Sequence, residues 1–166
     1  QNMRNITAKY IGLIAGGMMV LVSLILFYGF HFPDTGLVNY ICYTLFTFAI
    51  IFTFHKFNKD YNTEKAFKDY FSEGFKAFVI IVLIMAVFTF IFYKINPLIL
   101  EAKLGEINKY NSLDKNKTPG EVIENSNQIR KVFIPMTVAT TTIMYLFLGA
   151  LITAIGAGLL SQRNKI

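Results

Sequence analysis

The sequence predicts an all-α integral membrane protein with four transmembrane helices. Four apolar runs, at about residues 9–30, 36–55, 75–95 and 132–160, contain no Asp or Glu. Each run can cross a bilayer, because about 20 helical residues match a hydrocarbon core about 30 Å thick. The apolar residues run on without alternating with polar ones, which argues against a membrane β-barrel. The composition agrees, since 54% of residues are hydrophobic and 16% are charged.

A single four-helix transmembrane domain is expected over residues 1–166. Met3 followed by Arg4 reads as a natural start, so Gln1 and Asn2 are expected to be a remnant of cloning. The first apolar run is longer than the core of a secretory signal peptide, and no A-x-A-like cleavage site follows it. We therefore expect this run to be retained as a span.

The distribution of Lys and Arg predicts the orientation. Nine of these cations lie at the two termini and in the second connection, whereas the short first connection has none. The long third connection carries seven, but long loops cross the membrane with less regard to charge. The pattern predicts that both termini are cytoplasmic and that the third connection lies outside. The formal net charge of +6 then indicates contacts with membrane lipids, and no nucleic-acid partner is expected.

Small residues recur every four positions in the first and fourth spans. Gly12 and Gly16 form a G-x-x-x-G motif, and Ala150, Ala154 and Gly158 repeat the spacing. Such stripes let helices approach closely where lipid offers no hydrophobic driving force. The first and fourth spans are therefore predicted to pack against each other through these stripes. The alternative is that one stripe binds a second copy of the chain or another membrane protein.

Large aromatic residues crowd the second and third spans. They are Tyr40, Tyr43, Phe46, Phe48, Phe52 and Phe54 in one span, and Phe75, Phe78, Phe88, Phe90, Phe92 and Tyr93 in the other. These side chains are expected to face lipid, with a lipid or isoprenoid groove beside the two helices as the alternative.

A polar cluster lies early in the fourth span, shortly after Pro135. It consists of Thr137, Thr140, Thr141 and Thr142. Threonine hydroxyls bond to carbonyls of the preceding turn, and proline frees one such acceptor. The cluster predicts a kink or an interhelical hydrogen bond, with an ion site as the less favoured alternative.

The second connection predicts an amphipathic helix that lies in the headgroup layer before turning into the third span. Thr63 is its expected cap. Its aromatic face is expected to hold Phe67, Tyr70, Phe71, Phe75 and Phe78, and its polar faces Lys65, Lys68, Asp69 and Glu73. A partner-binding surface is the alternative interpretation.

The third connection, residues 96–131, is predicted to be an extramembrane helical hairpin. Asn96-Pro97 suits the start of the first helix, and Thr118-Pro119-Gly120-Glu121 forms a capping box at the start of the second. Its carboxylates are expected to form surface salt bridges rather than a divalent-cation site: Glu101, Glu106, Glu121 and Glu124.

Several stretches together carry a family resemblance. They are AKYIGLIAGGMMVLVSLI at the start, EKAFKDYFSEGFKAF before the third span, YKINP at its end, the charged helical insert and the ending LITAIGAGLL. From about Ile6 to Arg163, the chain resembles a bacterial, Bacteroidetes-type family of four-span membrane proteins catalogued as domain of unknown function 4199. The resemblance implies an inner-membrane protein with no known reaction and no catalytic residue to transfer. The order Ser72-Glu73-Gly74-Phe75 departs from the Ser/Thr-Phe-Gly order frequent in that family, which weakens any role assigned to the segment.

No motif for catalysis, a cofactor or a metal is found. His31 and His55 fall on opposite predicted sides of the membrane, and the single Cys42 excludes a disulfide framework or a cysteine-based metal site. We therefore expect no enzyme and no cofactor. The favoured function is a non-enzymatic accessory or assembly subunit, with a homodimer or a membrane-protein partner. The alternative is a protein that binds or translocates a lipid or polyprenyl substrate.

Overall fold

The computed structural model of the chain describes residues 2–29, 35–59, 65–112 and 118–163, and every element in these ranges is helical. The elements are α1 (Asn2–Leu24) with a π-helical turn (Ile25–Gly29), α2 (Thr35–Lys59), α3 (Phe67–Ile95), α4 (Pro97–Ser112) and α5 (Pro119–Arg163). Four helical segments are long and apolar enough to cross a membrane: Thr7–Gly29, Gly36–Lys59, Phe67–Ile95 and Gly120–Gln162. The predicted all-α, four-span fold class is confirmed.

The helices divide into two compact units. The first unit comprises Gln1–Met85 and Thr142–Ile166, and the second comprises Ala86–Thr141. The first unit therefore holds α1, α2, the first part of α3 and the end of α5. The second holds the rest of α3, the whole of α4 and the start of α5.

The core of the first unit is built from large side chains of all four of its helices. Its buried members include Met19, Phe46, Ile50, Tyr70, Phe78, Ile81 and, on α5, Tyr145. The expectation that the aromatic residues face lipid is therefore wrong for Phe46, Phe54 and Phe78, which are buried. It fits Tyr40, Phe48, Phe52 and Phe75, which are exposed. Bulk alone does not decide the side, because the buried rings fill the space above glycines of neighbouring helices.

Helix α3 runs without interruption from Phe67 to Ile95. Its 29 residues make a rod of about 43 Å, longer than the hydrocarbon core of about 30 Å. A separate headgroup-layer helix that turns into the span is therefore wrong. The start of α3 is capped locally, since the Asp69 carboxylate accepts a hydrogen bond of 3.1 Å from the backbone N–H of Ala66. The predicted cap, Thr63, lies outside the described residues.

The second unit contains the predicted helical hairpin. Helix α3 ends at Ile95, and Asn96 donates from its side chain to the Phe92 carbonyl at 2.8 Å before Pro97 starts α4. The capping box at the start of α5 is present, because the Thr118 N–H donates to the Glu121 carboxylate at 2.7 Å and the Glu121 N–H donates to the Thr118 hydroxyl at 3.4 Å.

Two side-chain contacts tie α4 to the start of α5 within the second unit. Asn108 donates to the Ser126 hydroxyl at 2.8 Å, and Arg130 forms an ion pair with Glu101. Leu104 is buried between these polar contacts. The hairpin is therefore held by an apolar residue flanked by specific polar pairs.

Candidate lipid cleft and helix-docking face

An open apolar cleft of about 370 Å³ lies between α1 and α2. Each helix contributes four residues to its lining: Ile11, Ile14, Ala15 and Met18 on α1, and Leu45, Phe48, Ala49 and Phe52 on α2. The volume falls within the range of small-molecule sites, about 300–1,000 Å³. This apolar cleft lies between the first and second spans, whereas the groove considered from the sequence was placed beside the aromatic second and third spans.

The α2 wall of the cleft leads to two lysines. Lys56 follows Phe52 by four residues and Lys59 follows by seven, so both fall on the same helix face as the lining residues. Both side chains are exposed. The lining on α2 stops at Phe52, so these cations lie beyond it, in the last turn of the helix.

A third lysine, Lys65, caps the carbonyl end of α2. Its ammonium donates to the carbonyl oxygens of Phe57 at 2.7 Å and Asn58 at 3.0 Å, and it lies 4.8 Å from the centre of the Phe57 ring. These carbonyls are in the last turn of α2, where the helix has unpaired acceptors and a partial negative charge. Lys65 is buried, so its predicted position on a solvated face is wrong.

The start of α3 is locked to the end of α2 by Tyr70. The Tyr70 ring is fully buried, and its hydroxyl donates to the Asn58 side chain at 2.8 Å. The rings of Phe54 and Phe57 meet it edge to face, with centroids 6.2 and 5.4 Å away. The aromatic residues of this segment thus divide between two sides, because Phe67 and Phe75 on the same helix are exposed.

A buried carboxylate, Glu73, lies on the inner side of α3. Its side chain is 3% exposed and forms a 2.9 Å ion pair with Lys76, whose side chain is 30% exposed. The sequence pattern placed Glu73 on a polar face, which is wrong. Next to it, Gly74 faces α5, where an added Cβ would lie 2.7 Å from the Thr153 methyl group. Glu73 is therefore buried because the adjacent Gly74 brings this part of α3 close to α5.

The G-x-x-x-G motif of α1 packs against α3. A Cβ at Gly12 would lie 2.7 Å from the Ala77 carbonyl oxygen, and a Cβ at Gly16 would lie 2.6 Å from the end of the Ile84 side chain. The close approach expected of small residues is thus made, but to the third span. The prediction that this stripe packs on the stripe of the fourth span is wrong.

Helix α5 uses a different set of small residues for its inner face. Gly149 lies under the ring of Phe78 and Gly156 under the ring of Phe54, where an added Cβ would come within 2.7 and 2.4 Å. The predicted stripe is on the neighbouring face: Ala150 and Ala154 are exposed, and a Cβ at Gly158 would meet no atom of the described residues within 4 Å. We call Ala150, Ala154 and Gly158 the outer stripe of α5.

A buried polar cluster joins three helices of the first unit. The Ser23 hydroxyl donates to the Met19 carbonyl at 2.8 Å and lies 3.3 Å from the Cys42 sulfur, which also shares a hydrogen bond with the Tyr145 side chain. Each of these side chains is buried. The arrangement satisfies polar groups within an apolar interior, so it is a structural contact in which Cys42 serves as a small core residue.

The four threonines of α5 differ in exposure and are divided between the two units. Thr137 and Thr141 are half-buried and Thr140 is exposed, all in the second unit, while the half-buried Thr142 belongs to the first. Helix α5 continues through Pro135. The ion site held open as an alternative therefore gains no support from the positions of these side chains.

The titratable side chains in the described ranges do not assemble a metal site. No three His, Cys, Asp or Glu residues among them lie close enough to hold an ion. In the hairpin, Lys103 pairs with Glu106 at 3.0 Å, as expected of surface salt bridges. Glu121 and Glu124 line a shallow polar pocket with Asn125 and Gln128. His31 lies outside the described residues.

Comparison with known proteins identifies the family. The family model described as "Protein of unknown function (DUF4199)" matches residues 10–162, nearly the whole chain. The chain belongs to the DUF4199 family. No curated protein and no solved structure gave a match.

Membership in DUF4199 confirms the resemblance carried by the glycine-rich opening, the aromatic second connection and the small-residue ending. Sequence reasoning missed the most specific contacts of this DUF4199 chain: the Lys65 cap, the inward Glu73 and the Gly149–Gly156 face of α5. One signal for the last was available, because Gly149, Thr153 and Gly156 also recur at helical spacing. The sequence alone does not decide between two adjacent small-residue faces.

Proposed function

We propose that this DUF4199 protein is a non-enzymatic accessory or assembly subunit of a bacterial inner membrane, with both termini cytoplasmic. It associates with a second copy of itself through the outer stripe of α5. The observation that carries the proposal is the contrast between the two small-residue stripes. The stripe on α1 is filled by α3, whereas the outer stripe has exposed alanines and open space above Gly158.

The outer stripe has the chemistry of a helix interface in lipid. Small residues at four-residue spacing allow the backbones of two helices to approach closely. Dispersion contacts between the helices then replace the contacts that each helix made with lipid acyl chains. A second copy is the simplest occupant, because a twofold interface needs only one self-complementary patch. Two larger exposed side chains adjoin the stripe: Phe147 lies on the same helix face one turn before Ala150, and Leu151 borders the stripe on one side.

Disulfide trapping in native membranes tests the association. In a Cys42→Ser background, Ala154→Cys should give an oxidised dimer. Ile155→Cys is the matched control, since Ile155 is also exposed but lies about 100° further around the same helix. Gly158→Leu added to Ala154→Cys should abolish the dimer without lowering the thermal stability of the monomer. No dimer from Ala154→Cys, or equal trapping at both positions, would refute the proposal.

The orientation has its own test. Cysteines introduced at Asn127 in the hairpin and Gln162 near the end of α5 are exposed in the structure. In a Cys42→Ser background, an impermeant maleimide added to intact cells should label only the Asn127→Cys chain. Labelling of both positions from outside would refute the proposed orientation but would not affect the test of dimer formation.

A second candidate function, lipid binding, is favoured by the cleft between α1 and α2. Its lining residues are all apolar, and it is open along the surface that a bilayer would cover. A lipid acyl chain, whether of a phospholipid or a polyprenyl carrier, matches this lining. Retention of stoichiometric lipid through purification in mild detergent, followed by native mass spectrometry, supports this candidate, and a lipid-free protein in every preparation argues against it.

A further inference from the structure

We infer that the cleft between α1 and α2 is a selective site for an anionic phospholipid, whose acyl chain lies in the cleft and whose phosphate is bound by Lys56 and Lys59. This inference rests on the lipid-binding candidate function and adds to it the class of headgroup. It follows from three features. One face of α2 carries both an apolar wall and, beyond it, two cations. The two helices that form the cleft contain no acidic residue.

The geometry places the cations within reach of a bound lipid. Phe52 is the last lining residue on α2, and Lys56 and Lys59 follow it on the same face by about 6 and 10 Å along the axis. A phospholipid whose chain lies in the cleft therefore brings its phosphate to the last turn of α2. Lysine side chains extend along apolar surface to place their ammonium groups at this level.

The charge of these two lysines is not used within the described part of the protein. Helices α1 and α2 contain no Asp or Glu. The nearest carboxylates along the chain that the structure describes are engaged elsewhere, since Asp69 binds the Ala66 N–H and Glu73 pairs with Lys76. Lys65, by contrast, already caps the end of α2, so it does not compete for the phosphate.

Two cations on one helix face favour an anionic lipid over a zwitterionic one. A basic residue near an anionic membrane surface contributes enough binding energy for roughly a fivefold change in affinity, so two contribute about thirtyfold. A zwitterionic headgroup places its own ammonium near the same lysines and loses most of this gain. Because the pair is exposed to the aqueous side, the preference should weaken at high salt.

Tryptophan quenching provides a direct test, because the chain has no Trp of its own. The full chain carrying Ile14→Trp is reconstituted in phosphatidylcholine vesicles with a minor fraction of lipid brominated on its acyl chains. Brominated phosphatidylglycerol should quench this Trp far more strongly than brominated phosphatidylcholine. Leu13→Trp is the matched control, since Leu13 is exposed at nearly the same depth but does not line the cleft.

Charge variants identify the headgroup site. Lys56→Gln with Lys59→Gln should remove the preference for phosphatidylglycerol, an expected loss of about thirtyfold in relative affinity. Lys9→Gln with Lys68→Gln changes the net charge equally at exposed positions away from the cleft face and should preserve the preference. Loss of preference in the control pair would refute a localised site.

The outcomes separate the inference from the function on which it rests. Equal quenching by both lipids at Ile14→Trp, stronger than at Leu13→Trp, would overturn headgroup selection and leave lipid binding in place. Equal quenching at both positions by both lipids would overturn both ideas. Protection of Ile14→Trp from both lipids would show that protein covers the cleft and would also overturn both.

Discussion

Replacing Gly12 with Ala should lower the free energy of unfolding by about 1–3 kcal/mol, because the new methyl group overpacks the contact between α1 and α3. It would lie 2.7 Å from the Ala77 carbonyl oxygen and 3.1 Å from the Cβ of Ile80. The Ala77 oxygen belongs to the backbone of a continuous helix and has no rotamer by which to move away. The helices must separate by about 0.7 Å to restore an ordinary contact of 3.4 Å, and the surrounding side chains lose dispersion contacts as they do so.

The measurement is unfolding by SDS, added to mixed micelles and followed by far-UV circular dichroism. Thermal unfolding in the same detergent should show a drop of several degrees, at about 2–4 °C per kcal/mol for a chain of this size. Gly16→Ala should cost less than Gly12→Ala, since the nearest atom to its new methyl group is the flexible end of the Ile84 side chain.

Gly17→Ala is the control, because a Cβ at Gly17 would meet nothing within 4 Å in the described part of the chain. It should be neutral or slightly stabilising, since alanine has the higher helix propensity. All of these changes add one methyl group within a six-residue stretch of α1, so a general effect on insertion would affect them alike. If Gly12→Ala and Gly17→Ala unfold at the same SDS fraction, α1 does not pack on α3 through this motif and the reasoning fails.

Three further predictions concern single side chains and use the same unfolding measurement. Lys65→Met should destabilise by about 1–3 kcal/mol, because the buried Phe57 carbonyl and the part-buried Asn58 carbonyl at the end of α2 lose their charged donor; an unchanged midpoint would show that water replaces it freely. Thr153→Val should be neutral or stabilising, because the buried Thr153 hydroxyl has no hydrogen-bond partner among the described residues; a loss above about 1 kcal/mol would reveal a partner for it. Thr118→Ala should cost about 1 kcal/mol, because the Glu121 N–H loses the Thr118 hydroxyl as its acceptor, and an unchanged midpoint would contradict this.

The positions of the helices were predictable because lipid restricts the choice of structure. A run of about 20 apolar residues in a bilayer must be helical to satisfy its backbone, whatever its neighbours are. Local chemistry predicted the hairpin in the same way. Asn96-Pro97 and Thr118-Pro119-Gly120-Glu121 specify helix starts within a few residues, and both were found where the sequence placed them.

The faces of the helices were less predictable, because nearly all sides of a transmembrane helix are apolar. Helix α5 offers two small-residue faces about 100° apart, and hydrophobicity does not distinguish them. Which of the two faces packs inward depends on which one contacts the buried rings of Phe54 and Phe78. That contact is set by tertiary packing. Lys65 and Glu73 were misplaced for a related reason: charged residues near a helix end are usually solvated, and here specific partners offset the cost of burial.

These packing choices also bear on function. Only 22–28% of the residues in the apolar window of each span are buried, so most of the span surface meets lipid or other helices. Exposed Leu, Ile and Phe side chains on such a surface cannot select a ligand, since lipid tails offer them equivalent contacts. Selectivity must come from features that lipid tails do not match, namely close backbone approach and charge. The proposed dimer would use close backbone approach at the outer stripe of α5, and the proposed lipid site would use the charge of Lys56 and Lys59. The two proposals therefore concern different surfaces, and a variant that removes one should leave the other intact.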